Sequence, residues 1–152
     1  RDPESESGSV IDFRDWHVPL GRRMRAIKLW FVIRHFGVDG LQEHIRYHIE
    51  LAKAFETFVE QEPRLAMAVD RSLALVCFRV AGEDALTKGL IDGVNARKRV
   101  MISHTRVPIA DGSETVAHRW VARVAVGASG VRLKDINELI AEIRTVLNEV
   151  IT

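Results

Sequence analysis

The feature that most constrains the fold of this chain is an apolar stretch that follows a short turn and a group of arginines. Residues 21–36 are GRRMRAIKLWFVIRHF, and this composition predicts a helix from Gly21 to Phe36, with Gly37 as its C-terminal cap. The apolar side chains fall on almost every side of that helix instead of forming one stripe. A helix of this kind is buried on most sides, so a large covering surface must exist.

Hydrophobic periodicity predicts the elements that follow. A second helix begins at Asp39, which together with Gln42 matches a capping box, and it ends near Glu62. The pattern then predicts two strands, a helix, two more strands and a final helix, over residues 65–69, 73–80, 84–95, 100–103, 120–126 and 134–150.

Two stretches between the predicted strands are typical of turns. Residues 70–72, Asp-Arg-Ser, indicate a hairpin or a bulge between the first two strands. Residues 104–116 contain Pro108 and an Asp-Gly pair, so we interpret them as a turn or a hairpin tip.

This order of elements predicts an α+β fold with helices on one face of a mainly antiparallel sheet. We divide the chain into a mobile lead-in over residues 1–9, a turn and two long helices over residues 10–62, and a small α+β domain over residues 63–152. The small sheet cannot cover the first helix alone, so another surface is expected to do so.

The composition argues against several classes of function. Of 152 residues, 22 are basic and 21 are acidic, and a net charge of +1 is not that of a nucleic-acid-binding protein. No apolar run approaches the ~20 residues of a membrane span. The single cysteine excludes an internal disulfide and fits a reducing, cytoplasmic compartment. The first residues lack the apolar core of a signal peptide. The chain does not begin with Met, so we interpret it as a piece of a longer polypeptide or as a processed one.

Few residues have the pattern of a reactive centre. His44 and His48 stand one helical turn apart, but zinc needs further ligands, and Ile45 occupies the place where the metalloprotease motif has glutamate. We therefore predict no metal site and interpret the histidines as an interfacial or solvated pair. Cys77 lies in an apolar strand, where a thiol usually packs. Dinucleotide-binding, Walker and nucleophile-elbow motifs are absent from the sequence.

The basic residues before and within the apolar stretch allow two interpretations. Arg22, Arg23, Arg25 and Lys28 are able to bind phosphates, but their core-type neighbours favour salt bridges and packed aliphatic stems. Gly21, at the predicted helix start, has a free amide at the positive end of the helix dipole and no side chain to keep an anion away. The same glycine is also an ordinary turn residue.

The same region resembles a known family. The stretch IDFRDWHVPLGRRMRAIKLWFVIRHFGVDGLQEHIRYHIELAKAFE is similar to the sequence after the mobile catalytic loop in the group II aromatic L-amino acid decarboxylases. LALVCFRVAG and WVARVAVG resemble two strands of their small C-terminal domain. The resemblance extends from about Ser7 to the end of the chain and is weaker between Ser103 and Arg119. It implies the C-terminal part of an α/β fold-type-I enzyme that depends on pyridoxal phosphate.

The resemblance also implies that the catalytic groups lie elsewhere in the polypeptide. In this family the cofactor lysine belongs to a His-Lys-Trp motif upstream of the matched region, and this chain has no such motif. No catalytic residue is therefore expected here, and the chain alone is predicted to be inactive. The expected partners are the N-terminal part of the same enzyme, a second subunit in a homodimer, and a small aromatic amino acid.

By the same resemblance, the turn before the first helix reaches an active site. Leu20 corresponds to a leucine that lines the aromatic substrate pocket. Gly21 corresponds to a glycine whose backbone lies beside the cofactor phosphate of the neighbouring subunit. Arg14 and Trp16 match positions that support this turn, and packing at the interface explains them equally well.

The complete enzyme is thus expected to convert aromatic L-amino acids to arylalkylamines and CO2. A histidine decarboxylase and an aromatic aldehyde synthase remain open within the same class of enzyme. A non-enzymatic interaction module, which buries the apolar helix against another protein, remains open outside it.

Overall fold

The computed structural model describes residues 23–108 and 118–150. Within these ranges the chain forms α1 (Ala26–Gln61), β1 (Leu65–Ser72), β2 (Leu75–Val80), α2 (Asp84–Ala96), β3 (Ser103–Pro108), β4 (His118–Ala125) and α3 (Leu133–Val150). The strands form an antiparallel sheet in the order β1-β2-β4-β3. The chain divides into two compact units, Arg1–Val38 and Asp39–Thr152.

In the first unit, the apolar helix predicted from the sequence is present, but its predicted start is wrong. Arg23 and Met24 are not helical, the Arg25 amide donates to the Arg23 carbonyl at 2.8 Å, and α1 begins at Ala26. Gly21 therefore does not open α1. Its proposed contact with an anion no longer follows from the helix dipole and depends on the family resemblance alone.

Gly37 interrupts α1. Its dihedral angles, φ 64° and ψ −175°, are not helical and lie in a region that residues other than glycine rarely adopt. The predicted break at Gly37 is thus found, although the helix resumes at once and continues to Gln61.

In the second unit, the β1–β2 hairpin extends further than the sequence predicted. β1 continues to Ser72, and the turn lies at Leu73 and Ala74, with Leu73 at φ 51°. The residues predicted as a break correspond to an irregularity in the strand register between Val69 and Ser72. The predicted hairpin is thus present, but residues 70–72 belong to β1 and its register irregularity, and the turn of the hairpin follows them.

The position of β3 was predicted wrongly. The strand was expected over residues 100–103, but it spans Ser103–Pro108, and residues expected in a turn pair with β4 from Ser103–Arg123 to Pro108–His118. β3 is one of the two outer strands of the described sheet and is mostly exposed. It therefore lacks the apolar alternation that reveals half-buried strands. Pro108 is tolerated because it ends an outer strand.

The core of the second unit joins one face of the sheet to all three helices. Alternate residues of β2 and β4, among them Phe78 and Ala122, cluster with apolar side chains of α2, α3 and the second part of α1. Phe55 of α1 is fully buried, and its ring lies 5.6 Å from that of Phe78. This arrangement confirms the predicted layer of helices on an antiparallel sheet.

Candidate functional site

The site residues predicted by resemblance lie outside the described residues. Arg14, Trp16, Leu20 and Gly21 all belong to residues 1–22, so their roles stay predictions. The described chain begins two residues after Gly21, with the segment that leads into α1.

The segment next to these residues is an exposed apolar surface, which we call the apolar arm and define as residues 24–36. Trp30 is 56% exposed and Phe31 is 59% exposed, and their rings meet edge to face at 5.1 Å. The other large apolar side chains exposed on the arm are Met24, Ile27, Leu29, Val32, Ile33 and Phe36. A surface cavity of about 360 Å³ lies among Met24, Ala26, Ile27 and Trp30. A continuous apolar surface of this kind marks a contact with another protein surface or a ligand.

Over residues 23–108 and 118–150, none of the helices has both the length and the apolar character needed to cross a membrane.

The two predicted histidines are neighbours in α1, but His48 is not arranged as a metal ligand. The two rings lie 4.1 Å apart. His48 is buried, with Nδ1 2.7 Å from the His44 carbonyl oxygen and Nε2 3.2 Å from the Ala128 carbonyl oxygen. A metal requires a free lone pair on a ring nitrogen, and both nitrogens of His48 face oxygen atoms. In the described part of the chain, no three His, Cys, Asp or Glu side chains are grouped to hold a metal.

Cys77 is a buried free thiol in the sheet. It lies on β2 opposite Val69 of β1 and Arg123 of β4. This position agrees with the interpretation of Cys77 as a packing residue.

One surface ion pair shifts the titration of a carboxyl group. Arg64 donates from Nε to Glu62 Oε1 at 2.7 Å and from Nη2 to Oε2 at 3.1 Å. These hydrogen bonds lower the pKa of Glu62, although partial burial opposes the shift. The same pair raises the pKa of Arg64, which is charged in any case. Sequence patterns did not reveal this pair, because it lies in the turn between α1 and β1.

A second group of charges joins the α2–β3 connection to α3. Glu142 of α3 is buried, and its Oε1 forms an ion pair with Arg99, whose Nη1 lies 2.9 Å away. Arg97 Nη1 lies 3.9 Å from Oε2, which accepts no hydrogen bond from the described residues. This arrangement is an ion-pair network that holds a loop, because no nucleophile or other reactive group accompanies it.

No lysine among the described residues has the surroundings of a Schiff-base lysine. A lysine that binds an aldehyde cofactor works in a desolvated pocket, whereas the described lysines are all exposed, at positions 28, 53, 88, 98 and 134. Lys53 pairs with Glu50 and Lys88 pairs with Asp92, one turn away on the surface of the same helix. The expectation that the cofactor lysine lies in another part of the enzyme is therefore not contradicted.

Comparison with known sequences identifies the family. Residues 3–81 match the pyridoxal-dependent decarboxylase conserved domain. A tryptophan decarboxylase of Camptotheca acuminata is 46% identical over 133 residues, which cover 82% of this chain and 25% of that protein. The aromatic-L-amino-acid decarboxylase of Sus scrofa is 44% identical over 101 residues, which cover 66% of this chain and 21% of that protein. The chain thus spans about a quarter of the length of these curated relatives.

Solved structures agree with the sequence comparison and confirm the predicted fold class. The Oryza sativa TDC structure with PLP and tryptamine matches all of this chain and 31% of its own, with a TM-score of 0.76 and 34% identity. The 4-hydroxyphenylacetaldehyde synthase of Rhodiola rosea matches 98% of this chain and 32% of its own, with a TM-score of 0.76 and 29% identity. The architecture described above is therefore that of the corresponding part of these fold-type-I enzymes, and the chain belongs to the pyridoxal-dependent decarboxylase family.

Proposed function

We propose that this chain is part of an enzyme that decarboxylates aromatic L-amino acids to arylalkylamines and CO2. The observation that carries the proposal is the 46% identity to a tryptophan decarboxylase over 82% of the chain. The match to a structure that contains PLP and tryptamine supports both the cofactor and the class of product.

The share of this chain in that enzyme is proposed to be the subunit interface, one wall of the substrate pocket and the small domain. The exposed apolar arm supports this role, because Trp30, Phe31 and their neighbours need a covering surface. The partners proposed for that surface are the N-terminal part of the same enzyme and the second subunit of a homodimer. The proposed organisation keeps residues 1–9 as a lead-in, residues 10–62 as the interface part and residues 63–152 as the small domain, in a cytoplasmic enzyme.

When bound, pyridoxal phosphate supplies an electron sink for the pair left by the departing carboxylate. The residues of this chain would act around it. Leu20 would give the aromatic ring of the substrate an apolar wall and exclude water from that side. The Gly21 backbone would approach the phosphate of the neighbouring subunit, and Arg14 and Trp16 would hold the turn that carries both residues.

The activity test uses the complete enzyme that contains this chain. It is supplied with pyridoxal phosphate and, in separate assays, with L-tryptophan, L-tyrosine, L-phenylalanine, L-dihydroxyphenylalanine or L-histidine. Release of CO2 with the matching arylalkylamine, identified by mass spectrometry, is the expected result. Activity confined to L-histidine, or no CO2 release from any of the five, would contradict the proposal.

A second candidate is an aromatic aldehyde synthase. The similarity to the Rhodiola rosea enzyme, with a TM-score of 0.76 and 29% identity, favours keeping this candidate. The same assay, run in air, separates the two functions. An aldehyde synthase would consume O2 and water and release an arylacetaldehyde, CO2, NH3 and H2O2, with no amine product.

A further inference from the structure

His48 joins two distant parts of the second unit through both nitrogens of its ring. The side chain is only 4% exposed. Nδ1 lies 2.7 Å from the carbonyl oxygen of His44, within α1, and Nε2 lies 3.2 Å from that of Ala128, in the connection between β4 and α3. This second contact links residues that are 80 positions apart in the sequence.

The chemistry of the two contacts depends on the charge of the ring. A carbonyl oxygen only accepts hydrogen bonds, so each contact requires a hydrogen atom on the ring nitrogen. A neutral imidazole has one such N–H group and the imidazolium has two. Both hydrogen bonds therefore exist together only when His48 is protonated. The neutral ring keeps only one of these hydrogen atoms, and we expect it at Nδ1, where the contact is shorter. A lone pair on Nε2 would then face the Ala128 oxygen.

The connection held by His48 is a turn that depends on the same oxygen atom. The Val131 amide donates to the Ala128 carbonyl at 3.3 Å, and Gly130 inside the turn has φ 86°. The Val126 amide, just before the turn, donates instead to the Ala74 carbonyl at 2.9 Å. Release of Ala128 from His48 should therefore loosen the hydrogen bond of Val131 and leave that of Val126 intact.

Two elements place titratable groups near His48 or near Ala128. In α1, the ring of His44 lies 4.1 Å away and that of Tyr47 lies 5.7 Å away. From the start of α3, Asp135 lines a surface cavity together with Ala128, and its carboxylate accepts a hydrogen bond from the Arg132 amide at 2.8 Å. A second positive charge on His44 would repel a protonated His48, so His44 is the group that the experiment must control.

We propose that His48 is a proton-dependent latch that holds the β4–α3 connection against α1. The protonated ring holds the carbonyl oxygens of His44 and Ala128 together. The neutral ring releases Ala128 and lets the turn at residues 128–131 open. The extra hydrogen bond belongs to the protonated form, so the latch is closed on the acid side and opens as the pH rises.

The test follows amide hydrogen exchange in the complete enzyme between about pH 5 and 8, the range over which histidine ordinarily titrates. After correction for the intrinsic effect of pH, exchange of the Val131 amide should accelerate at least about tenfold as the pH rises, as expected for the loss of one charge-assisted hydrogen bond. Exchange of the Val126 amide should not change. A Val131 amide with constant protection over this range would overturn the proposal.

Two variants assign the effect to His48. His48→Gln cannot take up a proton, so the pH dependence at Val131 should disappear. His44→Gln retains the backbone carbonyl that His48 binds, so the dependence should remain. If the pH dependence at Val131 persists in His48→Gln, or disappears in His44→Gln, the effect belongs to another group and the proposal is overturned.

A measurement on the unaltered enzyme covers the case in which His48→Gln does not fold. Deuterium exchange at the Cε1 hydrogen of His48 reports the protonation of that ring directly. Its midpoint should coincide with the midpoint of the Val131 transition. Two clearly different midpoints would disprove the latch.

Discussion

At the scale of single residues, position 37 favours glycine because of its backbone dihedral angles and not because a side chain would clash there. Among the described residues, no atom beyond the adjacent backbone lies within 4 Å of the position that a Cβ would take there, yet φ is 64° and ψ is −175°. An alanine would have to adopt this backbone conformation, at a cost of about 1–3 kcal/mol.

We therefore expect Gly37→Ala to lower the free energy of unfolding of the complete enzyme by about 1–3 kcal/mol. Gly127→Ala is the matched control, because a Cβ there also meets nothing within 4 Å and its φ is not in the left-handed region. Its effect should stay below about 1 kcal/mol. Denaturant unfolding measures both variants, and equal effects would contradict the argument from backbone conformation.

The Glu62–Arg64 pair predicts a pH dependence with a defined sign. Arg64 lowers the pKa of Glu62, so the folded chain binds this proton less tightly than the unfolded chain. The stabilising contribution is complete above the ordinary pKa of a glutamate and is lost as the pH falls through the lowered value. We expect Glu62→Gln to cost about 1 kcal/mol at neutral pH and little in acid.

Unfolding free energies measured from neutral to acid pH check this prediction. Glu50→Gln is the control, because Glu50 pairs with Lys53 at 2.8 Å while both side chains remain about half exposed or more. Glu50→Gln should have a smaller effect on the unfolding free energy at neutral pH. A Glu62→Gln effect that does not change with pH would exclude the proposed cause.

Leu20 and Gly21 are predicted to affect different ligands. A side chain at position 21 would push the backbone from the cofactor phosphate, so Gly21→Val should weaken cofactor affinity in the complete enzyme. Leu20→Ala removes an apolar wall and should cost about 1–3 kcal/mol in transition-state binding for an aromatic substrate. Cofactor titration and kcat/KM measurements on each variant separate the two effects.

Hybrid dimers then show which subunit the turn serves. With Gly21→Val and loss of the cofactor lysine on one chain, the remaining lysine site should face the damaged turn of its partner. With the two changes on separate chains, that site should face an intact turn and bind cofactor almost normally. The opposite pattern would show that the turn serves its own subunit.

At the scale of elements, the packing of α2 on α3 explains why α2 contains glycine. From the sequence, Gly89 and Gly93 only weaken a helix. In the structure, a Cβ on Gly93 would lie 2.6 Å from Val146 Cγ1, whereas a Cβ on Gly89 would lie 3.4 Å from Val150 Cγ1. Gly93 thus allows the close approach of the two helices, and Gly89 contributes much less to it.

Gly93→Ala is expected to destabilise the chain by about 1–3 kcal/mol, because α3 must shift or Val146 must leave its rotamer. Gly89→Ala should be close to neutral, since improved helix propensity offsets a tight contact. Val146 is buried, so Val146→Ala alone is also expected to destabilise the chain. The double variant Gly93→Ala, Val146→Ala should lose less stability than the sum of the two single variants. Thermal unfolding of these four variants tests this, and an absence of coupling between Gly93 and Val146 would disprove the steric explanation.

How well an element could be predicted depended on how much of it is buried. α3 has a clear apolar stripe, and its predicted span of 134–150 agrees with the observed Leu133–Val150. β2 forms the middle of the sheet and was also found from its apolar run. β3 borders solvent, so its pairing with β4 decides its position and no local pattern reveals it.

At the scale of the whole molecule, the apolar arm predicts how the chain assembles. We expect Trp30→Asp and Phe31→Asp to weaken association of the complete enzyme into dimers, each by at least about 2 kcal/mol if the residue is central to the interface. Met101→Asp is the control, because Met101 is 87% exposed but lies outside the arm. Sedimentation measures the dimer dissociation constant of each variant. Equal constants for the three variants would show that the arm is not part of the dimer interface.

The candidate site was less accessible to prediction than the fold. Periodicity alone predicted that the arm needs a cover, and the described residues leave its large apolar side chains exposed. Only the resemblance suggested which partner supplies that cover and gave roles to Leu20 and Gly21. Contacts such as that of His48 with Ala128 were missed because they join positions 80 residues apart without any shared motif.

The outer strands of the sheet have a consequence for aggregation. Among the described strands, β1 forms one edge and has irregular register between Met67 and Val69 and again between Val69 and Ser72. β3 forms the other edge and carries Arg106 before it ends at Pro108. Bulges, charge and proline make a strand edge a poor template for another strand. We therefore expect that a chain whose arm is left uncovered associates through the apolar arm, and that the edges of its sheet do not seed the growth of amyloid fibrils.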